Sequence, residues 1–245
     1  MNPSATSFEV NSFWGGAPLT RLELLSLTSF VQNGARYNLY SYDDLPDLPE
    51  GVTLRDAREI LPVDRMFHYP VGTLNEGSPS GFTNLFRYTL LQRPGGWWVD
   101  TDVCCLRPFE ATGDEIYLRE ETQSGDEFLV ASCIFRAPAA SSVLECCLQT
   151  FAQKDVTKVL HGETGPTLLT QAIRACGREE AVQSGAPFFP VPWWEYERLL
   201  FDEELSLERC RAVHFWNTML RAAGINKNGD FPKQSVFERL KRRYL

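Results

Sequence analysis

The chain has 245 residues, 43% of them hydrophobic, which is enough apolar material for the core of one large α/β domain. Its 24 basic and 32 acidic residues give a net charge of −8, so no nucleic-acid partner is expected. No segment reaches the roughly 18 apolar residues of a membrane-spanning helix, and residues 1–10 lack the pattern of an export signal. A cytoplasmic protein without a transmembrane segment is therefore expected.

The start of the chain predicts a strand, a helix and a second strand. Phe8–Trp14 is the first predicted strand, the helix begins near Pro18 and ends before Asn33-Gly34, and Tyr37–Tyr42 is the second strand. This order is the opening of a βαβ unit, which implies a parallel sheet covered on both faces.

The rest of the chain predicts further alternation of helices and strands. Residues 43–80 are rich in proline, glycine and acidic side chains, and are predicted to form a connecting loop with at most short helices. The predicted helices are Phe82–Gln92, Ala139–Phe151, Pro166–Cys176 and Phe231–Leu245, and the predicted strands are Trp97–Val99, Glu127–Phe135 and Phe188–Val191. We predict one domain over residues 1–245, with a helical tail at about residues 230–245.

The seven cysteines include two adjacent pairs, Cys104-Cys105 and Cys146-Cys147. Adjacent cysteines cannot bond to each other without strain, and the sequence has no CxxC pair. Free thiols in a reducing compartment are therefore expected, and a zinc site of the usual spacing is not.

Two aspartates, Asp100 and Asp102, directly follow the predicted strand Trp97–Val99. On an extended chain they project to the same side, and Thr101 projects to the other. Paired carboxylates at the end of a buried strand are costly unless a cation or hydrogen-bond donors balance them, and hard oxygen ligands suit Mn²⁺ or Mg²⁺. The segment predicts a divalent metal site; the alternative is a pair of surface aspartates capping a turn.

The sequence around these aspartates resembles a known signature. Phe86-Arg87-Tyr88, Leu90-Leu91 and Gly95-Gly96-Trp97-Trp98-Val99-Asp100-Thr101-Asp102-Val103 resemble the motif of the DXD-containing retaining glycosyltransferases, which comprise glycosyltransferase family 32 and its relatives. That group includes initiating mannosyltransferases, α-1,4-galactosyltransferases and, more distantly, the catalytic domains of clostridial glucosylating toxins. Further landmarks occur in the order that the family uses, at Phe13-Trp14-Gly15-Gly16, Thr164-Gly165-Pro166 and His214-Phe215-Trp216-Asn217.

The resemblance implies a GT-A-like, Rossmann-like fold with a mixed, mostly parallel sheet flanked by helices. It also implies retaining transfer of a hexose from a nucleotide-diphosphate sugar, with Mn²⁺ or Mg²⁺, to a hydroxyl group of a polysaccharide, lipopolysaccharide or glycolipid. No carboxylate stands out as a covalent nucleophile, so attack by the acceptor on the same face as the leaving group is favoured.

The resemblance assigns roles to individual residues. Asp102 looks like the direct metal ligand, Asp100 like the aspartate near the ribose and the metal, and His214 like the late residue that completes the metal or diphosphate site. Arg87 matches an arginine that reaches into the donor pocket and, with the two aspartates, forms the predicted catalytic group. Trp14 matches the aromatic residue that stacks on the nucleobase.

Five further residues complete the donor pocket that the resemblance implies: Gly15, Asn84, Tyr88, Gly165 and Trp216. Asn84 stands where the family usually has an aspartate, which leaves the identity of the donor sugar open. It retains the ability to hydrogen-bond a sugar hydroxyl but carries no charge.

Three questions stay open at this point. The Asp100-Thr101-Asp102 segment also fits a phosphatase of the haloacid-dehalogenase type, with Asp100 as nucleophile and Asp102 as general acid. The scaffold also suits a sugar- or nucleotide-binding module without turnover. The basic C-terminal segment, with Lys233, Arg239, Lys241, Arg242 and Arg243, predicts either a solvated helix or a peripheral contact with an anionic membrane surface or a phosphorylated acceptor.

Overall fold

The computed structural model describes residues 8–16, 18–109, 113–125 and 128–245. The strands are β1 Glu9–Trp14, β2 Arg36–Ser41, β3 Val52–Asp56, β4 Gly96–Val99, β5 Val103–Cys105, β6 Ile116–Glu120, β7 Leu129–Ala137, β8 Val182–Ser184 and β9 Ala212–His214. The α-helices are α1 Arg21–Gln32, α2 Ser80–Gln92, α3 Ser142–Phe151, α4 Leu168–Ala175, α5 Arg198–Phe201, α6 Asn217–Ala222 and α7 Val236–Tyr244.

Seven strands form one mixed sheet in the order β3-β2-β1-β4-β7-β6-β8. β7 pairs antiparallel with β4 and β6, and the other neighbours are parallel. β5 and β9 form a separate antiparallel pair. The parallel strands β1 and β4 end at the same edge of the sheet, where open α/β sheets bind ligands.

Both faces of the central strand β4 are covered. Trp97 and Trp98 point to opposite faces, and both are buried. The ring centroid of Trp98 lies 6.5 Å from that of Phe86 in α2, and the centroid of Trp97 lies 5.2 Å from that of Phe109. A strand buried on both faces has no polar alternation, which explains the continuous apolar run before Asp100.

The predicted βαβ opening is confirmed, because β1 and β2 pair in parallel after α1. The helix begins at Arg21, three residues after Pro18. Thr20 caps it through a capping box, in which the Thr20 backbone N–H donates to Glu23 Oε2 at 2.8 Å. The predicted start of the later strand at Glu127 lies outside the described residues, and β7 extends to Ala137.

Two predictions from the sequence are wrong. Phe188–Val191 is not a strand; Phe188 and Val191 are buried, but the segment starts in a turn in which the Phe188 N–H donates to Gly185 O. Its neighbouring prolines cannot donate to a sheet. The predicted loop 43–80 contains β3, an edge strand with mainly exposed side chains and thus no apolar pattern to detect.

The C-terminal helix α7 is shorter than predicted, because it begins after its cap Ser235. Phe237 and Leu240 lie on its apolar side and are buried. Lys241 is also buried, and its Nζ lies 2.6 Å from Glu238 Oε1. Arg242 and Arg243 are exposed, so peripheral membrane contact stays a prediction. Among the described residues, no helix is both long enough and apolar enough to cross a membrane.

Candidate active site

The two aspartates lie in a turn between β4 and β5. The Val103 N–H donates to Asp100 O at 3.1 Å, and the Asp100 N–H donates to Cys133 O of β7 at 2.8 Å. The expected extended conformation of Asp100-Thr101-Asp102 is therefore wrong: the chain reverses there because it leaves the sheet to form the separate β5–β9 pair. Both aspartate side chains nevertheless line the same two cavities.

Asp100 is fixed by two donors at one of its oxygens. Its Oδ1 lies 2.8 Å from Arg87 Nη2 and 2.7 Å from Trp98 Nε1. Arg87 is only 3% exposed and also donates to Ser132 O. Burial raises the pKa of Asp100; the Arg87 guanidinium lowers it, Asp102 raises it, and the net change is upward.

Asp102 is fixed from the C-terminal part of the chain. Its Oδ2 accepts a hydrogen bond from the Asn217 backbone N–H at 2.8 Å and lies 3.2 Å from His214 Nε2. Burial alone would raise the pKa of Asp102, but His214 and the backbone donors lower it below its usual value. Burial disfavours a charged His214 ring, whereas Cys133 and Asp102 raise the pKa of His214 well above the ordinary value.

The backbone at Trp216 is strained in a way that serves this contact. Trp216 has φ +54° and ψ +51°, a left-handed conformation that residues other than glycine adopt rarely. The turn places the Asn217 N–H on Asp102 and brings the Trp216 ring centroid to 4.0 Å from that of His214. The Trp216 Nε1–H donates to Val191 O at 3.2 Å, which holds the ring in place. Such strain is typical of functional sites.

The carboxylates suit a hard divalent cation. Within the described residues, other residues donate to Asp100 only at Oδ1 and to Asp102 only at Oδ2, so one oxygen of each stays available. No group of three or more His, Cys, Asp or Glu side chains in the described part of the chain is arranged to hold a metal ion. Two carboxylates still fit Mn²⁺ or Mg²⁺, which commonly complete their shells with water and phosphate oxygens.

Two cavities meet at the aspartates. The smaller has a volume of about 340 Å³ and the larger about 640 Å³. Both are in the size range of ligand sites. Six residues line both cavities: Ser80, Arg87, Asp100, Asp102, Asn217 and Thr218.

The structure distributes the predicted residues between the two cavities. Trp14 and Gly15 line the larger one, and Asn84, His214 and Trp216 line the smaller one. The predicted residues therefore fall on two sides of the Asp100–Asp102 turn.

Tyr88 and Gly165 line neither of these two cavities and lie behind the smaller one. The Tyr88 hydroxyl donates to Thr164 O at 2.9 Å. A Cβ on Gly165 would lie 2.9 Å from Ser132 Oγ and 3.1 Å from the Asn84 amide, so glycine allows this close approach. These two residues support Asn84, whose Nδ2 donates to Thr164 Oγ1 at 3.1 Å.

Sequence reasoning missed three charged residues of the cavities. Arg221 and Lys227 line the larger cavity, and Lys227 Nζ lies 5.8 Å from the centroid of the Trp14 ring. Glu120, at the end of β6, lines the smaller cavity. Arg221 and Lys227 belong to no sequence motif that could have indicated them. Glu120 lies two residues after a short apolar run, Ile116-Tyr117-Leu118, that could have indicated a strand.

No family model and no curated protein matches this sequence. Solved structures do match. The apo form of the glycosyltransferase GlyE of Streptococcus pneumoniae TIGR4 aligns with a TM-score of 0.54 and 11% identity, over 96% of this chain and 60% of that one. A second GlyE structure aligns with a TM-score of 0.53 and 13% identity, over 86% of this chain and 54% of that one. The PaToxG glycosyltransferase aligns with a TM-score of 0.49 and 12% identity, over 97% of this chain and 86% of that one.

The likeness to GlyE concerns the fold. It confirms the predicted α/β, GT-A-like architecture, a mostly parallel sheet flanked by helices. This chain spans 54–60% of the length of the GlyE chains.

Proposed function

We propose that this protein is a metal-dependent, retaining glycosyltransferase that moves a hexose from a nucleotide-diphosphate sugar to a hydroxyl group of a glycan, such as a polysaccharide, lipopolysaccharide or glycolipid. The observation that carries the proposal is the meeting of two cavities at Asp100 and Asp102. A nucleotide sugar has the same layout, with a nucleoside on one side of a diphosphate and a sugar on the other. The GT-A-like fold agrees with this assignment.

The larger cavity suits the nucleotide. Trp14 offers an aromatic surface on which any base can stack, so it does not specify the base. Arg221 brings positive charge to the same cavity, where phosphate oxygens need it, whereas the Lys227 ammonium is already paired with the buried Glu23 carboxylate. The smaller cavity, with Asn84 and Trp216, is then left for the sugar.

Asp100 and Asp102 would hold Mn²⁺ or Mg²⁺, which as a Lewis acid stabilises the negative charge on the departing diphosphate. The protein positions both carboxylates before the ligand binds, through Arg87 for Asp100 and through His214 and the Asn217 N–H for Asp102. Such support around metal ligands typically contributes 10- to 100-fold to affinity or activity. The pairing of His214 with Asp102 supports a role for His214 at the diphosphate.

The proposed transfer proceeds with retention. The bond between the anomeric carbon and the diphosphate breaks, and the acceptor hydroxyl forms the new bond from the same face. The acceptor's proton passes to an oxygen of the leaving phosphate, so no protein base is required. Asn84 lines the sugar side and can hydrogen-bond a hydroxyl of the hexose.

The test compares the parent protein with Asp102→Asn, and uses Asp47→Asn, at an exposed aspartate, as the control. UDP and GDP are screened for thermal stabilisation with and without Mn²⁺, followed by hydrolysis of UDP-glucose, UDP-galactose and GDP-mannose. We expect metal-dependent stabilisation by one nucleotide and hydrolysis of a matching donor, both lost in Asp102→Asn only. Binding without hydrolysis would favour a non-catalytic module, and no stabilisation by any nucleotide would reject the proposal.

A further inference from the structure

Glu120 is a buried acid to whose carboxylate no other residue described by the structure is bonded. It is the last residue of β6, opposite Leu129 of β7, and is 8% exposed. Within the described residues, its carboxylate takes part in no hydrogen bond and no ion pair. It nevertheless lines the smaller cavity. The carboxylate therefore faces a space in which a ligand can lie.

A buried carboxylate without donors is costly to the folded protein. Burial raises the pKa of Glu120 to about 7, and His214 opposes the rise only partly. The other two acids of the same cavity differ in this respect, because Asp100 is bonded to Arg87 and Trp98, and Asp102 to Asn217 and His214. A stability cost kept at one cavity residue is typical of a functional group that its ligand satisfies.

The position of Glu120 identifies which part of the ligand it meets. The aspartates line both cavities, whereas Glu120 lines only the smaller one, away from Trp14 and Lys227. If the diphosphate lies at the aspartates and the nucleoside beside Trp14, as in the proposed function on which this step rests, the group next to Glu120 is the sugar. A sugar offers hydroxyl donors, which a carboxylate accepts in strong, charge-assisted hydrogen bonds.

We propose that Glu120 accepts hydrogen bonds from hydroxyl groups of the transferred hexose and thereby selects and orients the donor sugar. Its two oxygens suit a pair of neighbouring hydroxyls, with Asn84 of α2 available for a third contact from another wall of the cavity. A site built to hydrogen-bond a hydroxyl rejects an analogue that lacks it, because the buried polar group is then left unpaired.

The test separates the sugar from the nucleotide. Glu120→Ala and Glu120→Gln are compared with the parent and with Glu121→Gln, a control at the exposed neighbouring residue. Affinities are measured with Mn²⁺ for UDP or GDP, for the matching nucleotide sugar, and for its singly deoxygenated analogues. Donor hydrolysis is measured without acceptor, and thermal unfolding without ligand confirms that each variant folds.

We expect Glu120→Ala to bind the nucleoside diphosphate within twofold of the parent but to lose at least tenfold in affinity for the nucleotide sugar. The parent should discriminate against one or two deoxy donors, and Glu120→Ala should not. Glu120→Gln keeps an acceptor oxygen and should lie between them. Since removal of the charge relieves an unpaired group, we expect its melting temperature to equal or exceed that of the parent.

Three results would overturn the role of Glu120. One is an unchanged preference for the nucleotide sugar in Glu120→Ala. Another is an equal loss for the diphosphate and the sugar donor, which would indicate a structural role. The third is a Glu120→Gln variant whose donor affinity equals that of the parent but whose donor hydrolysis is a thousandfold slower. That result would indicate that Glu120 is a covalent nucleophile. A parent that binds no nucleotide would overturn the proposed function as well, and is thereby distinguished from these three.

Discussion

His214 Nε2 lies 3.2 Å from Asp102 Oδ2, and the other ring nitrogen of His214, Nδ1, lies 3.5 Å from Cys133 Sγ. The imidazole of this β9 residue thus connects the Asp100–Asp102 turn with β7. The backbone of His214 also pairs with Val103 of β5, the residue that follows Asp102. Because this ring is buried and held on both sides, it fixes the orientation of the Asp102 carboxylate.

Replacing His214 with Phe should weaken metal-dependent nucleotide binding. The ring volume is kept, but of the two partners that the described residues give to Asp102, only the Asn217 N–H remains. We expect the Mn²⁺ concentration for half-maximal stabilisation by nucleotide to rise 10- to 100-fold. His214→Gln should restore part of the affinity, and Cys133→Ala, which removes the other contact, should change it less. An unaltered Mn²⁺ titration in His214→Phe would contradict the role assigned to this histidine.

Replacing Arg87 with Met should destabilise the protein even without ligand. The change leaves the Asp100 carboxylate without its cation and removes the side-chain donor to Ser132 O. Breaking a buried pair in this way costs about 3–5 kcal/mol, and the partial exposure of Asp100 points to the lower end. Urea denaturation measures the loss in the free energy of unfolding.

The matched control for Arg87 is Arg58→Met. Arg58 pairs with Asp56 at 3.1 Å, and both side chains are about half exposed. An exposed pair contributes about 0–1 kcal/mol, so this variant should unfold close to the parent. Losses of equal size in the two variants would show that burial does not make the Arg87–Asp100 pair special.

Local signals explain why part of the site could be predicted from the sequence. The run Trp97–Val99 is apolar because β4 is covered on both faces, and Gly95-Gly96 before it adopt φ values of +68° and +101° that favour glycine. The strand, its start and the aspartates at its end can therefore be predicted from one short, contiguous segment. Arg87 differs: it lies about two turns into α2 among mainly buried residues, and the sequence indicated its role only through the resemblance to the family motif.

Contacts between distant segments explain what the sequence could not predict. The aspartates turn instead of extending because β5 leaves the main sheet to pair with β9, more than a hundred residues later. Of the five strands that were not predicted, β5, β8 and β9 have three residues each, which is too short for a recognisable period. Glu120 sits beside the exposed Glu121 in sequence, and only the pairing of β6 with β7 turns its side chain toward the cavity.

Gly165→Ala should reduce donor affinity without touching the donor. The new Cβ would lie 2.9 Å from Ser132 Oγ and 3.1 Å from the Asn84 amide, so Asn84 must move away. Overpacking of this kind costs about 1–3 kcal/mol of stability. We expect a several-fold loss of affinity for the nucleotide sugar and little change for the nucleoside diphosphate alone. Gly113→Ala is the control, because among the described residues beyond its chain neighbours no heavy atom lies closer than 3.8 Å to the new Cβ. Equal behaviour of the two variants would argue against this support of Asn84.

Glu120 also predicts a pH dependence of stability. Its pKa rises from 4.5 to about 7 in the folded protein, so between these values the folded state binds more protons than the unfolded state. Stability contributed by the protonated group is therefore lost as the pH rises from about 4.5 to about 7. The pKa shift corresponds to about 3 kcal/mol of stability. Two other groups, His214 and Cys133, interact electrostatically with Glu120, and both remain in the variant used for the test.

The measurement compares the free energy of unfolding of the parent and of Glu120→Gln from pH 4.5 to pH 8. Glutamine cannot ionise, so the difference between the two proteins should change by about 3 kcal/mol in favour of the variant over this range. Glu121→Gln should follow the parent at every pH, because that side chain is exposed. Parallel curves for the parent and Glu120→Gln would mean that the carboxylate finds partners in solution, and the argument that a sugar hydroxyl must satisfy it would lose its basis.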